Sequence, residues 1–409
     1  MITRSAAAPS RVRVLAFDAP ERSERGLVSY LALPRPKDMV KWWILPAVFT
    51  LAAVGVGRIE AMELLRAGVV WLTLEFLIYQ ARYQWNDIVG FAADQQHPDR
   101  TERGRLPGPA SRRRQRKLAS ASVVLLRLLV AAGLGLVIPA LHIELLNLVL
   151  MGSVFSIAAL YEQLKQRATG WAHEVPPPLR SATAGLWVTV GGGYAIRGVA
   201  GLGLVVDLAA RPGLALATTA AMWAYGISFV TSRWVVEALA FARVDGGQLA
   251  WSCRPEQRRE HLLSLVRWLP KYDALAAGPG GLRAWRPLKG PTRLTAPWNA
   301  ATIASGTCAG LAGFTLTGAA RPGFAVGMGM AFALGTFLVL CAPARARVAV
   351  LLGSAAAITV LELIIGAHRP LLVVTAWMAA VGAQLWFFSQ SLETIARGPQ
   401  AFRGRFYRA

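Results

Sequence analysis

Cysteine, histidine and acid are all scarce in this chain of 409 residues. The three cysteines, Cys253, Cys308 and Cys341, offer neither a metal-ligand spacing nor a disulfide framework, so redox chemistry is not indicated. Among the five histidines, His97 and His368 have no second ligand within sequence reach, which argues against a histidine-held metal. Asp and Glu total 22 against 44 Lys and Arg, a net charge of +22. That charge is divided among loops with no recognition module, so nucleic acid is excluded as a partner. Also missing are a cleavable signal peptide, since the first 38 residues are polar and Arg-rich, and the internal repeats of a transporter. Gly278-Pro279-Gly280-Gly281 lacks phosphate-loop spacing and reads as a turn.

What the chain has in abundance is apolar length. Hydrophobic residues make up 55%, the mean hydropathy is +0.42, and apolar runs of about 20 residues recur. Spans are expected near 42–58, 66–87, 119–137, 143–162, 182–203, 214–240, 300–317, 323–341, 348–365 and 371–389. The fold class is therefore all-α, a polytopic transmembrane bundle of about 9 to 10 spans around a central cavity that opens to the cytosolic side. Most Lys and Arg fall before the first span, between Ile88 and Leu118, between Arg243 and Pro297, and at the C-terminus. The positive-inside rule then places the N-terminus in the cytosol, and a multi-pass protein of a bacterial cytoplasmic membrane is expected. The chain divides into a tail at 1–41, a motif-bearing half of the bundle at 42–242, a basic insert at 243–297 read as a lid, further spans at 298–390, and a basic tail at 391–409. Within the insert, a helix from Pro255 to Leu269 would gather Leu262, Leu263, Val266 and Leu269 for the inner leaflet.

Polar residues inside the spans carry the chemistry. Glu75, Tyr79, Tyr83, Asp87, Gly90 and Asp94 are spaced four, four, four, three and four residues apart, which puts them on one helical face. Intramembrane acids are costly unless they face a protein interior, so this stripe is expected to line a cavity. It ends in Asn86-Asp87 and runs on through Asp94 to His97-Pro98-Asp99-Arg100. Tyr161 and Lys165 close the fourth span one turn apart, and Arg233 and Glu237 close the sixth, with Asp245 following. All three groups end even-numbered spans, so topology brings them to the same membrane face.

This arrangement resembles the UbiA superfamily of intramembrane prenyltransferases. Tyr30 to Lys37, with its Arg35-Pro36 pair, looks like the family's entry segment. Asn86-Asp87, Asp94 and the tail to Arg100 match the first motif, NDxxDxxxD, and Tyr161 with Lys165 matches the YxxxK element. Gly193 to Gly201, around Arg197, is similar to the pattern of the fifth span. The resemblance implies a Mg²⁺-dependent enzyme that ionises an isoprenoid diphosphate, with membrane lipid around it and Mg²⁺ on Asp87 and Asp94. Asn86 would add an amide oxygen, Lys165, Arg100 and Arg197 would bind diphosphate oxygens, and Tyr161 would donate a hydrogen bond. Tyr79 and Tyr83 would line the substrate cavity, and Glu237 would serve a second metal.

Two departures qualify the likeness. Gly90 replaces the middle Asp, and Arg233 with Glu237 stands where most members carry DxxxD, so Arg233 is read as substituting for a metal. The branch joining polyprenyl phosphate to phosphoribosyl diphosphate looks similar at that place, and the terpene cyclases also depart from the Asp-rich pattern. Transfer of a prenyl group is the leading expectation, with cyclisation next. Arg197 lies toward the outer end of its span, where pairing with Glu75 is an alternative. Trp85, Trp187, Trp223 and Trp234 sit beside the motifs, with interfacial anchoring as their default role.

Overall fold

A computed structural model describes residues 26–57, 59–97, 104–169, 174–245, 248–251, 260–270, 281–288, 293–318 and 322–391. Every one of the ten apolar segments falls on helix. Among the described residues, six helices are long and apolar enough to cross a membrane: Arg113–Val137 (α6), Glu144–Arg167 (α7), Pro212–Phe241 (α10 with a closing 3-10 turn), Gly323–Cys341 (in α13), Arg347–Ile364 (α14) and Pro370–Phe388 (α15).

The remaining segments differ for identifiable reasons. Two short helices, α1 (Leu27–Ala32) and α2 (Pro36–Met39), lead into α3 (Ile44–Val56), which has 13 residues. That is only about 20 Å of helix. The second segment is one continuous rod, α4 (Ala61–Leu72) joined to α5 (Tyr79–Gln95) through a π-helical turn at Thr73–Ile78 that contains Glu75. The fifth is interrupted at Val190-Gly191, giving α8 (Ser181–Thr189) and α9 (Gly192–Gly203). A Cβ on Gly191 would meet Trp223 at 2.3 Å, so glycine permits α10 to approach the break this closely. α12 (Pro297–Leu316) is long enough to span but lies between α10, α13 and α15. It meets them through small and polar residues, which lower its hydropathy: Ser228 and Thr302 hydroxyls bond at 2.7 Å, and Ser305 donates to the Ala221 carbonyl at 3.0 Å.

Leu45, Phe49, Val70, Leu74, Ile78, Leu150 and Val154 form the core of the first half. Phe314, Phe332, Ile358, Val373 and Trp377 form that of the C-terminal helices. Many flanking Leu and Val of α6, α7 and α14 are exposed, as a lipid-facing surface requires.

The described residues are mostly helical, as an all-α chain requires, and the insert adds one short pair of strands: β1 (Ala242–Asp245) and β2 (Gln248–Trp251) pair antiparallel. Of the amphipathic helix expected from Pro255 to Leu269, the described residues show α11 (Glu260–Leu263) followed by a 3-10 turn at Ser264–Trp268, while 252–259 lie outside the described residues. Leu262, Leu263 and Val266 do share a face, but they are buried against Ala238 and Phe241 at the foot of α10. Trp187 Nε1 donates to the His261 carbonyl at 2.8 Å, and Arg267 donates to the Pro177 carbonyl. Protein, not lipid, covers this apolar face.

Candidate functional site

The polar end of α5 carries the densest charge in the described structure. Helical spacing places Tyr79, Tyr83, Asp87 and Asp94 on the buried face; Asp87 is 1% exposed and Asp94 8%. Asp87 is held from two sides. Arg105, in the loop after α5, donates from Nη1 to Asp87 Oδ1, and Arg35, before α2, places Nη1 at 3.6 Å from the same oxygen. Arg105 also spans to the next carboxylate, its Nε 3.8 Å from Asp94 Oδ2. Burial works against the charge of Arg105, and Asp87 and Asp94 more than offset it, holding its pKa well above the usual arginine value. Arg35 is raised in the same way, against burial, by Asp38 and Asp87. Tyr30 stands nearby; burial and then the Asp87 charge push its hydroxyl pKa upward.

Neighbouring groups extend the cluster. Arg35 Nε donates to Asp38 at 2.5 Å, and Lys41 Nζ lies 3.8 Å from Asp38 and donates to the Tyr83 hydroxyl at 3.3 Å. The Asn86 amide links α5 to α7: with its oxygen toward Arg105 Nη1 at 3.1 Å, its nitrogen donates to Glu162 Oε1 at 2.6 Å. Glu162 in turn accepts from Lys165 at 2.8 Å on both oxygens. Arg82 lies between the rings of Tyr83 and Tyr161, 5.2 and 5.8 Å from their centroids, and Tyr161 faces Trp234 of α10 at 6.4 Å. Glu237 meets the cluster's edge through His97, whose Nε2 is 3.5 Å away.

Asn86, Asp87, Asp94, Tyr83, Tyr161 and Lys165 are thus brought together, with Glu237 beside them. Arg100 lies outside the described residues. Tyr79 and Arg197 belong to a deeper layer. Arg197 donates to both Glu75 oxygens at 2.5 and 2.8 Å and to the Gly193 carbonyl at 3.0 Å, and it stacks 3.4 Å over the Tyr79 ring. Both partners are fully buried, so this arginine is committed inside the protein. Arg233 turns from Glu237 to the Phe387 carbonyl, donating at 2.6 Å. Sequence reading missed Arg105, Asp38, Lys41 and Arg82, gave Glu162, which lies between Tyr161 and Lys165, no role, and gave Arg35 only an entry role; for the arginines and the lysine the one signal available was the basic content of the segments around α5.

As arranged, the donor set does not fit a resident metal ion. Arg105 bridges the two α5 carboxylates where a cation would sit, Gly90 supplies no oxygen, and among the described residues no group of three His, Cys, Asp or Glu gathers. An anion fits better. Arg105 Nε and Arg35 Nη1 are buried without a hydrogen bond, held only by long ion-pair contacts to Asp94 at 3.8 Å and Asp87 at 3.6 Å. No family model, curated protein or solved structure matches the chain.

Proposed function

We propose that the chain is an integral-membrane transferase of the UbiA type, with about ten spans and its polar chamber facing the cytosol, that ionises an isoprenoid diphosphate and passes the prenyl group to an acceptor. The observation that carries this reading is the pair of buried guanidinium N–H groups without a hydrogen bond, Arg105 Nε and Arg35 Nη1, in a cluster that also holds Lys41, Arg82 and Lys165 at the polar end of a tyrosine-lined helix. Each has only a long ion-pair contact, and a diphosphate has oxygens that would complete its hydrogen bonding. The allylic C–O bond breaks and its electron pair leaves with the diphosphate, whose growing charge the guanidinium and ammonium groups stabilise. The acceptor's electron pair then closes the new bond to the allylic cation, and its proton leaves to water. Asp87 and Asp94 would hold a Mg²⁺ ion only in competition with Arg105.

Cyclisation is the second reading, with the aromatic rings of Tyr79 and Tyr83, 6.1 Å apart, forming an apolar wall beside the cluster. Membranes containing the protein are incubated with geranyl, farnesyl and geranylgeranyl diphosphates, with and without acceptors, and products are identified by mass spectrometry. A prenylated acceptor supports transfer, hydrocarbon release without an acceptor supports cyclisation, and intact diphosphates under every condition overturn both.

A further inference from the structure

A second polar constellation lies on α10. Tyr225, Phe229 and Arg233 recur every four residues and share one face. Tyr194 of α9, Phe387 of α15 and Trp43 close around that face, with ring centroids 5.9 Å apart for Tyr194–Tyr225, 6.1 Å for Trp43–Tyr225 and 4.5 Å for Phe229–Phe387. The Arg233 guanidinium sits 5.7 and 5.5 Å from the Phe229 and Phe387 ring centroids.

Among the described residues no carboxylate comes within ion-pair distance of Arg233, and its Nη1 is buried without a hydrogen-bond partner. The hydroxyls of Tyr194 and Tyr225 are unpartnered too, on residues only 4% and 1% exposed. Three donors without an acceptor, around a side chain that stays protonated, call for negatively charged oxygen. One guanidinium balances one negative charge, which points to a monoanion. Adjoining the chamber is a groove of about 330 Å³ lined by Met39, Val40, Trp43, Ala383, Trp386 and Phe387. It shares Trp43 and Phe387 with the chamber, is apolar throughout its side chains, and ends at exposed Trp43 and Trp386. Its volume is in the range of small-molecule sites.

We propose that the Arg233 chamber binds the carboxylate of a lipophilic acid whose apolar body lies in the Trp43–Trp386 groove. As the acceptor subsite of prenyl transfer it rests on the function proposed above; as a binding site it does not. The test is calorimetric titration of the full chain in uncharged maltoside micelles with dodecanoate, dodecanol and dodecyl phosphate, each against a micelle-only blank. Dodecanoate is expected to bind about tenfold or more tighter than dodecanol, a hydrogen-bonded charge being worth that much. Arg233→Gln removes the difference, and Tyr194→Phe and Tyr225→Phe, which keep the ring packing, each reduce it several-fold. Equal binding of dodecanol, or unchanged selectivity in all three variants, overturns the site; tighter binding of the dianionic dodecyl phosphate overturns the choice of a carboxylate. Dodecanoate binding that needs Arg233 stands even where no prenyl diphosphate is turned over. Turnover without such binding overturns this inference alone.

Discussion

Arg105 and Arg233 are both guanidinium groups drawn largely out of water, yet their surroundings differ in kind. Arg105 has Asp87 on one side, Asp94 on the other and the Asn86 amide between, while Arg233 has two phenyl rings and one carbonyl oxygen. The first region is close to self-neutralised, so removing one of its acids strands the remaining charges. In the second, no carboxylate among the described residues pairs with the arginine, so none is stranded when it is replaced. Buried ion pairs are costly to break and cheap to replace whole, which is why mutations should separate the two regions sharply.

The largest effect is expected for Asp87→Asn, which leaves Arg105 and Arg35 facing each other across a neutral amide. A loss of about 3–5 kcal/mol is predicted, read by denaturant unfolding in detergent. A shift near zero would mean that the carboxylate is solvated and that the contrast with Arg233 is false. Arg105→Gln removes the bridge between the two α5 carboxylates and leaves Arg35 as the ion-pair partner of Asp87, and Mn²⁺ affinity, followed by electron paramagnetic resonance, should rise about tenfold, the equivalent of one unit of pKa. An unchanged affinity would show that Arg105 does not hold the cation position. Asp94→Asn is milder, about 1 kcal/mol, because its contact with Arg105 is 3.8 Å long rather than a hydrogen bond. Smallest is Arg233→Met, predicted to stay within about 1 kcal/mol of the parent, since an apolar side chain of similar length fits between Phe229 and Phe387. A large loss there would reveal a counter-charge in the protein and erase the contrast.

Much of the first region could be read in the sequence because it is local. The four-residue spacing of Tyr79, Tyr83 and Asp87 on one rod is a property of helix geometry, and its continuation to Asp94 survives for the same reason. The partners that complete it come from loops on either side: Arg35 is 52 positions before Asp87 and Arg105 is 18 after it. Nothing periodic marks either one among so many arginines. The π-helical turn at Thr73–Ile78 was equally invisible, because the apolar pattern runs through it unbroken. The break at Val190-Gly191 had a signal, three consecutive glycines, inside an apolar run that otherwise reads as one span. Strands Ala242–Asp245 and Gln248–Trp251 follow a long helix in a basic stretch and are too short for alternation to mark them. For the Arg233 chamber, sequence showed the helix face, but Tyr194, Trp43 and Phe387 arrive from three other elements.

Release of pyrophosphate from farnesyl and geranylgeranyl diphosphates by the purified chain, compared with Arg35→Gln and Arg105→Gln, tests the central claim most directly. Turnover by the parent that falls by about 100-fold or more in each variant, the scale of losing one preorganised donor to a developing charge, is the predicted result. Equal rates in all three proteins, with unfolding curves that show each one folded, would contradict it.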